Sequence, residues 1–434
     1  MEHKKGKQVV FAELNKKVAK EVPVLLVALL RNGKVVSLAE AWTKEELVRL
    51  KKSEAFFCPA CKREVVLKLG NHRIPHFAHK KDAACPYEHE PESARHLTGK
   101  LDLFSWLQRQ NIQAKLEPYL SSVRQRPDIL VAHHLIYAIE YQCSAVGEQL
   151  FQKRNDFYRA KGIRPIWILG AHHLRYRNMH HITLPRFQWM FAHCFPLVPR
   201  PLLFYYCSET KRLIRLVHLV PFSVRHTFAI PVVQPLHSVS FTDLLSFPVV
   251  SLPASFWHDW LNYKKRWRLT FTLYPNKITR LICSDFYRWG IIPSLFPTEA
   301  GWPLPHGYLF ETPPFIWQTY VLIPFIRSES KLVSIDSIYR FIDERMDAGR
   351  LAVRQLPLAM GQRYTQAVYE YLQLLTKLGY FQWESRKRLR LVKQFTFPKT
   401  MDEVIQQDQQ MMEQMKESPS LSHYINELEL GKNM

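Results

Sequence analysis

Between residues 91 and 170 the apolar periodicity changes in a definite order, and that order limits the fold more than any other feature of the chain. A helical pattern over 92–110 gives way to a strand at "IQAKLEP" and then to two more, "RPDILVA" and "LIYAIEYQC". A second helix over 146–161 stops at Gly162, and the strand "RPIWILG" follows. Periods of 3.6 and 2 separate the helices from the strands. The reading is αβββαβ, a mixed α/β core whose hairpin carries two carboxylates, Asp128 and Glu140, among apolar neighbours. Carboxylates are costly there unless something compensates their charge.

Gln142 follows Glu140 by two residues and so shares its face. With the turn at His133-His134, two registers are open. A two-residue turn sets Asp128 against Ile139 and puts Glu140 on the other face. A three-residue loop centred on His134 sets Asp128 opposite Glu140, with Cβ atoms roughly 5 Å apart. Carboxylates that close repel unless a shared proton or a divalent cation relieves them. Mg²⁺ takes one or two carboxylates and keeps its waters, and it can activate water toward a phosphodiester. Glu92, His96 and Lys100, spaced by four, offer a third group from one face of the leading helix. The competing reading is structural, with Asp128 and Glu140 as ordinary ion-pair partners of Arg126 and Arg154.

A second cluster lies upstream. Cys58 and Cys61 form a C-x-x-C knuckle, with His72, His76, His79 and Cys85 downstream. Two thiolates at this spacing, closed by a His and a Cys, suit tetrahedral zinc, and four ligands leave no open position for chemistry. His79 and Cys85 are the expected second pair, with His76 the alternative to His79. A redox pair would be expected beside a thioredoxin-like βαβ pattern, which is lacking here. Buried thiols and surface histidines without metal are the bland alternative.

The formal charge of +22 fits a polyanionic partner, because Lys and Arg that neutralise phosphates release counterions. Acidic membrane surfaces attract the same charge. Seven cysteines, an odd number, argue against a disulfide framework and for a reducing cytoplasm. The run Val22–Leu30 is too short to span a bilayer. Arg31 and Lys34 between it and Ala39-Glu40-Ala41 disfavour a signal peptide, and Asn32-Gly33 reads instead as a hairpin turn. "HLTGK" fails as a phosphate-binding loop, so ATP is not expected.

Elsewhere, "TKEELVRLKKSE" reads as a helix with Thr43 as N-cap and Glu46 completing a capping box. Ser255 is expected to cap a helix running to about Arg268, whose Lys264, Lys265, Arg266 and Arg268 complement the helix dipole. Trp257, Trp260, Tyr263 and Trp267 nearby read as core more readily than as a base-stacking platform. Residues 364–393 read as a helix leading into a basic two-stranded wing, the ending of a winged-helix module. From 401 the chain carries seven acidic and two basic residues, an acidic tail.

Helix, three strands, helix and strand, with Asp on the second strand and Glu-x-Gln on the third, resembles the PD-(D/E)xK nuclease fold. "FFCPACKREVVLKLGNHRIPHFAH", "ESARHLTGK", "RPDIL", "AIEYQCS" and "FQKRNDFYRAKGIRPIWILG", in this order, resemble the competence protein CoiA family. The resemblance implies a restriction-endonuclease-like core over 91–200, after an N-terminal β module with a zinc knuckle over 1–90. A mainly helical region over 201–400 and the acidic tail over 401–434 complete the expected organisation. It implies Glu92, Asp128 and Glu140 as ligands of Mg²⁺ or Mn²⁺, and Gln142 in place of the usual catalytic lysine. An amide holds water but supplies no positive charge. Lys100, Arg126 and Arg154 are candidates for the missing cation. With Arg386, Lys387 and Arg388 of the wing they are candidates for contact with DNA. The implied function is metal-dependent hydrolysis of DNA in natural transformation, with an inactive, DNA-binding recombination mediator as the alternative. A restriction-like or repair endonuclease is a third possibility. Single-stranded DNA is the expected partner, with recombination or uptake proteins docking on the C-terminal region of a cytoplasmic protein peripheral to the uptake machinery.

Overall fold

The first apolar run folds as strands β1 (Val24–Leu25) and β2 (Val27–Leu30) and returns as β3 (Val35–Ser37). Gly33, at φ +82°, makes the turn, with its N–H on the Leu30 carbonyl. A positive φ is what glycine supplies without steric cost. The computed structural model describes residues 24–70, 74–80, 85, 93–122, 125–195, 198–359 and 361–417. They form two units, residues 1–143 with 157–165 and residues 144–156 with 166–434.

In the first unit, helix α1 (Lys44–Ser53) starts at the expected capping box: the Thr43 hydroxyl accepts from the Glu46 N–H, and the Glu46 carboxylate accepts from the Thr43 N–H. Strands β4 (Phe56–Phe57), β5 (Glu64–Lys68) and β6 (His76–His79) complete a six-stranded sheet of order β1-β6-β5-β4-β2-β3. Leu25, Ala28, Phe56, Leu67 and Phe77 fill its core.

Helix α2 (Ala94–Arg109), capped by Ser93, leads into the antiparallel meander β7 (Gln113–Leu116), β8 (Ile129–Ala132) and β9 (Ile136–Gln142). Gly99 is the point of closest approach between α2 and β9. A Cβ there would lie 2.1 Å from the Tyr141 ring. The glycine of "HLTGK" is thus a packing device. Helix α3 (Glu148–Ala160) and strand β10 (Ile163–Gly170) complete the expected αβββαβ order along the chain, and both are divided between the two units.

In the second unit, short strands β11 (Arg175–Tyr176) and β12 (His181–Thr183), helix α4 (Arg186–Trp189) and strand β13 (His193–Phe195) precede three ten-residue strands: β14 (Val198–Cys207), β15 (Arg212–Pro221) and β16 (His226–Pro235). They pair antiparallel in the order β12-β16-β15-β14, while β10 runs parallel to β14. Residues 201–235 of the stretch expected to be mainly helical are thus largely strand, and helices follow from Phe241. Most of β15 is buried on both faces, so its sequence lacks the alternation that marks a half-exposed strand.

Helices α5 (Phe241–Leu244), α6 (Phe256–Thr270) and α7 (Lys277–Arg288) follow, and α8 (Pro314–Arg327) is buried along most of its length. Ser255 occupies the N-cap position of α6 in helical backbone geometry and makes no side-chain capping bond, contrary to expectation. Then come β17 (Leu332–Ser334), α9 (Ile335–Asp347), α10 (Tyr364–Lys377), β18 (Phe381–Ser385) and β19 (Arg388–Leu391), with sheet order β17-β19-β18.

The acidic stretch from 401 opens as helix α11 (Met401–Glu417). Its Asp408 is buried and accepts from Arg268 at 2.7 and 2.9 Å, with Lys264 3.1 Å away. Lys264 and Arg268 therefore serve a tertiary ion cluster, while Lys265 and Arg266 stay exposed on the helix end. Among the described residues no helix is long and apolar enough to cross a membrane.

Candidate nuclease-like and metal sites

The β8–β9 ladder pairs Ile129 with Ile139 and Ala132 with Ile136, closing on the three residues 133–135. Continued one step, this register sets Asp128 across from Glu140. Of the two registers open from sequence, the three-residue loop is the one formed. Asp128 lies just before β8, and its side chain reaches across the hairpin end, where its Oδ2 accepts the Tyr141 N–H at 2.8 Å. His96 Nε2 of α2 is 3.3 Å from the same oxygen, and Lys100 Nζ is 3.6 Å from Oδ1. Burial alone would push this carboxyl up, but Lys100, His96 and the Tyr141 amide outweigh it and hold Asp128 well below the usual carboxylate range.

Glu140 and Gln142 are buried, and side chains alternate along β9. Tyr141 meets Gly99 of α2, so Glu140 and Gln142 face the other way, and the Tyr158 hydroxyl of α3 donates to Glu140 Oε1. The two carboxylates are therefore register partners engaged by different helices. Glu92, the expected third ligand, lies outside the described residues.

Sequence reading missed Glu117. It sits at φ +46° after β7, fully buried, and its carboxylate accepts the Leu26 N–H at 2.9 Å and an ion-paired proton from Lys100 at 2.5 Å. Burial would raise its pKa, yet Lys100 and Arg126 hold it low. Lys100 is thus shared between Glu117 and Asp128, and no surface of it is exposed for phosphate contact. Nothing in "KLEPY" marks Glu117, because its partners come from positions 26, 100 and 126. Arg126 lies 3.9 Å from Glu117, and the Arg154 guanidinium stands over the Trp167 ring at 4.9 Å. Asp128 thus has an ion-pair partner in Lys100 of α2, which the sequence reading did not name for that role.

The Cys/His cluster is built by the β4–β5 hairpin and the end of β6. The knuckle closes with the Lys62 N–H on the Cys58 carbonyl and the Cys58 N–H on the Arg63 carbonyl, Lys62 standing at φ +60°. Pairing of Val65 with His79 brings the histidine to the knuckle. One ligand atom from each of Cys58, Cys61, His79 and Cys85 lies within 4.8 Å of the others. His79 Nε2 is 3.3 Å from Cys61 Sγ, and its buried Nδ1 has no hydrogen-bond partner. Burial, then Arg126 and Arg63, lower the His79 pKa, which favours the neutral ring a metal requires. This Cys₃His set fits a structural zinc ion. His76 Nδ1 instead bonds the Ile74 carbonyl at 2.9 Å. Among the described residues this is the one group of three or more such side chains close enough to hold an ion. At the hairpin the described donors are two carboxylates, the number Mg²⁺ commonly takes from a protein.

In the C-terminal part, Trp260 and Trp267 are core, as the bland reading held. Arg386, Lys387 and Arg388 are exposed at the β18–β19 turn, with Lys387 3.2 Å from Asp336.

Residues 92–248 match the family model described as competence protein CoiA, nuclease-like domain. Residues 39–88 and 256–405 match that family's N-terminal and C-terminal domain models. The nuclease-like match runs past the boundary expected near 200 and takes in the three long strands. The competence protein CoiA of Bacillus subtilis (strain 168) is 31% identical over 348 residues, covering 79% of this chain and 91% of that protein. No solved structure matches.

Proposed function

Because the chain belongs to the competence protein CoiA family, we propose that it acts on DNA during natural transformation, hydrolysing phosphodiesters at a PD-(D/E)xK-like core with a divalent metal ion. The observation that carries this reading is the charge arrangement at the hairpin end. Asp128 is kept ionised across from Glu140, with the buried Lys100 ammonium 3.6 Å from it. The position of the usual lysine holds Gln142, and α2 supplies a cation from a different element. Asp128 and Glu140, with Glu92, would hold Mg²⁺ or Mn²⁺, which requires the Glu140 carboxylate to leave the Tyr158 hydroxyl and turn toward Asp128. When bound, the ion supplies an activated water and stabilises the leaving oxygen. Lys100 keeps Asp128 deprotonated, and the Gln142 amide offers a donor and an acceptor to a water.

A second reading has its own observation. Asp128 already accepts from Tyr141 and faces His96 and Lys100, while Glu140 accepts from Tyr158. A core so satisfied suits a protein that binds DNA and passes it to recombination proteins without cutting. In both readings the exposed Arg386, Lys387 and Arg388 contact the phosphate backbone, and the Cys₃His set is a zinc-bound structural element.

Purified protein incubated with labelled single- and double-stranded DNA and Mg²⁺ or Mn²⁺ tests the choice. Cleavage that stops with chelator, and in both Asp128→Asn and Glu140→Gln, supports the nuclease. Equal DNA binding by wild type and variants, with no metal-dependent products, leaves the mediator. Neutralising Arg386 and Arg388 together should weaken binding to all sequences and lower the salt-dependence slope by about 2.

A further inference from the structure

The end of α6, the linker 271–276 and α7 carry five exposed large apolar side chains. Leu269 is 47% exposed, Leu273 59%, Tyr274 91%, Ile278 53% and Tyr287 60%. Solvent-exposed apolar side chains scattered singly mean little, but Leu269, Leu273, Tyr274 and Ile278 fall within ten residues across the α6 end, the linker and the first turn of α7, while Tyr287 lies at the other end of α7. Leu273 and Tyr274 are the tip of this elbow, because the chain turns there between two helices.

Exposed cations stand on both helices that flank the tip, with Arg288 at the far end of α7. Lys265 and Arg266 on the last turns of α6, and Lys277, Arg280 and Arg288 on α7, are all exposed. Positions 277, 280, 284 and 288 fall on one face of α7, opposite the buried Ile282 and Phe286. Between residues 260 and 292 the sequence holds a single acid, Asp285. It is buried and bound to Tyr320 at 3.0 Å and Arg350 at 3.1 Å. Within its own segment the elbow is therefore an apolar tip whose exposed charges are all basic, while the acidic helix α11 meets α6 through Asp408.

We propose that this elbow docks on an anionic phospholipid surface, the Leu273–Tyr274 tip entering the headgroup region and the lysines and arginines facing acidic headgroups. Charge complementarity selects a polyanion, and the aliphatic side chains select among polyanions. A nucleic-acid strand covers tyrosine by stacking but leaves Leu269, Leu273 and Ile278 in water. A second copy of the chain would bring the same unbalanced cations face to face. A lipid interface takes apolar side chains and basic residues together. This site shares no residue with the nuclease-like hairpin and does not depend on its chemistry.

The full-length protein should co-sediment with vesicles of phosphatidylcholine mixed with phosphatidylglycerol, far less with phosphatidylcholine alone, and less at high salt. Lys277→Gln with Arg280→Gln should lower the vesicle partition coefficient on the order of thirtyfold. Leu273→Ser with Tyr274→Ser should lower it without altering net charge. A Tyr274→Trp variant should shift its fluorescence to the blue on anionic vesicles. These positions are exposed, so thermal melts should be unchanged and folding defects excluded. Vesicle binding that all variants retain, or no vesicle binding at all, overturns the proposal. Loss of single-stranded DNA binding in the same variants, with vesicles ignored by the wild type, assigns the elbow to nucleic acid. A concentration-dependent dimer abolished by Leu273→Ser assigns it to self-association.

Discussion

His218 sits where the β15–β16 ladder slips between Val217 and Val220, at φ +52° and 3% exposed. Its Nε2 lies 2.8 Å from the Val250 carbonyl and its Nδ1 has no partner, the pattern of a neutral ring donating from Nε2. Burial lowers its pKa to about 4, against the bond to Val250 that would raise it. Since the folded value lies below the unfolded one, the unfolded chain takes up this proton first. Stability from His218 is complete above about pH 6.5 and falls as the pH drops to about 4, by about 3 kcal/mol. Urea melts of wild type and His218→Gln between pH 7 and 4 test this. The variant should be less stable at pH 7, and the gap should narrow toward pH 4. Gly99 gives a second prediction at this scale. Gly99→Ala drives a methyl against the Tyr141 ring at 2.1 Å, in a core where Tyr141 is fully buried. The expected loss is about 1–3 kcal/mol or more, with partial recovery when Tyr141→Leu is added.

At the scale of elements, α11 is tied to α6 by buried charge. Asp408 serves Arg268 and Lys264, and Lys264 also donates to the Thr298 carbonyl and stands over the Trp302 ring. Removing one partner of a buried cluster leaves uncompensated charge, at a cost of about 3–5 kcal/mol. Asp408→Asn should therefore lower the melting temperature and release α11 to protease. Burial lowers the Lys264 pKa to about 7 even with Asp408 and Glu299 opposing the shift. The unfolded chain therefore holds this proton more tightly, and stability from Lys264 rises as the pH increases from about 7 toward 10.5. Without Asp408 the lysine sheds its proton more easily, so the Asp408→Asn defect should be larger at pH 6 than at pH 9. This cluster also shows where sequence reading stops. Lys264 and Arg268 looked like dipole-complementing cations because their anion is at position 408. The capping box at Thr43 and the turn at Gly33 were legible because each is complete within a few residues. The strands of 198–235 escaped because two-sided burial along β15 erases alternation, and the stretch is rich in aromatics and prolines. At the hairpin, the carboxylates and their choice of two registers were readable. The cation sharing by Lys100 was not, since Glu117 enters from another strand end.

For the whole molecule, the division into two units has a thermodynamic consequence that metal removal can expose. The Cys₃His set joins β4, β5 and β6, and Cys58 is part of the core that Leu25, Phe56 and Phe77 form. Burial raises the Cys58 pKa, so thiolate is disfavoured at neutral pH without a metal to share its charge. A zinc ion bound only by the folded state adds its binding free energy to the stability of that unit, and chelation takes it away. The sheet has little else to hold it there, since the edge strand β1 and the interior strand β4 are two residues each. Calorimetry with and without a strong chelator should show a transition of the first unit that falls well below its zinc-loaded temperature. The transition carrying α8 and the β14–β16 sheet should move little. Cys61→Ser and Cys85→Ser should reproduce the shift and bind less than one zinc per chain, while His76→Ala should keep its zinc. If chelator moves both transitions equally, or neither, the ion is not a structural element of the first unit. A chain that loses zinc and melts unchanged would leave the four side chains as buried thiols around a neutral histidine.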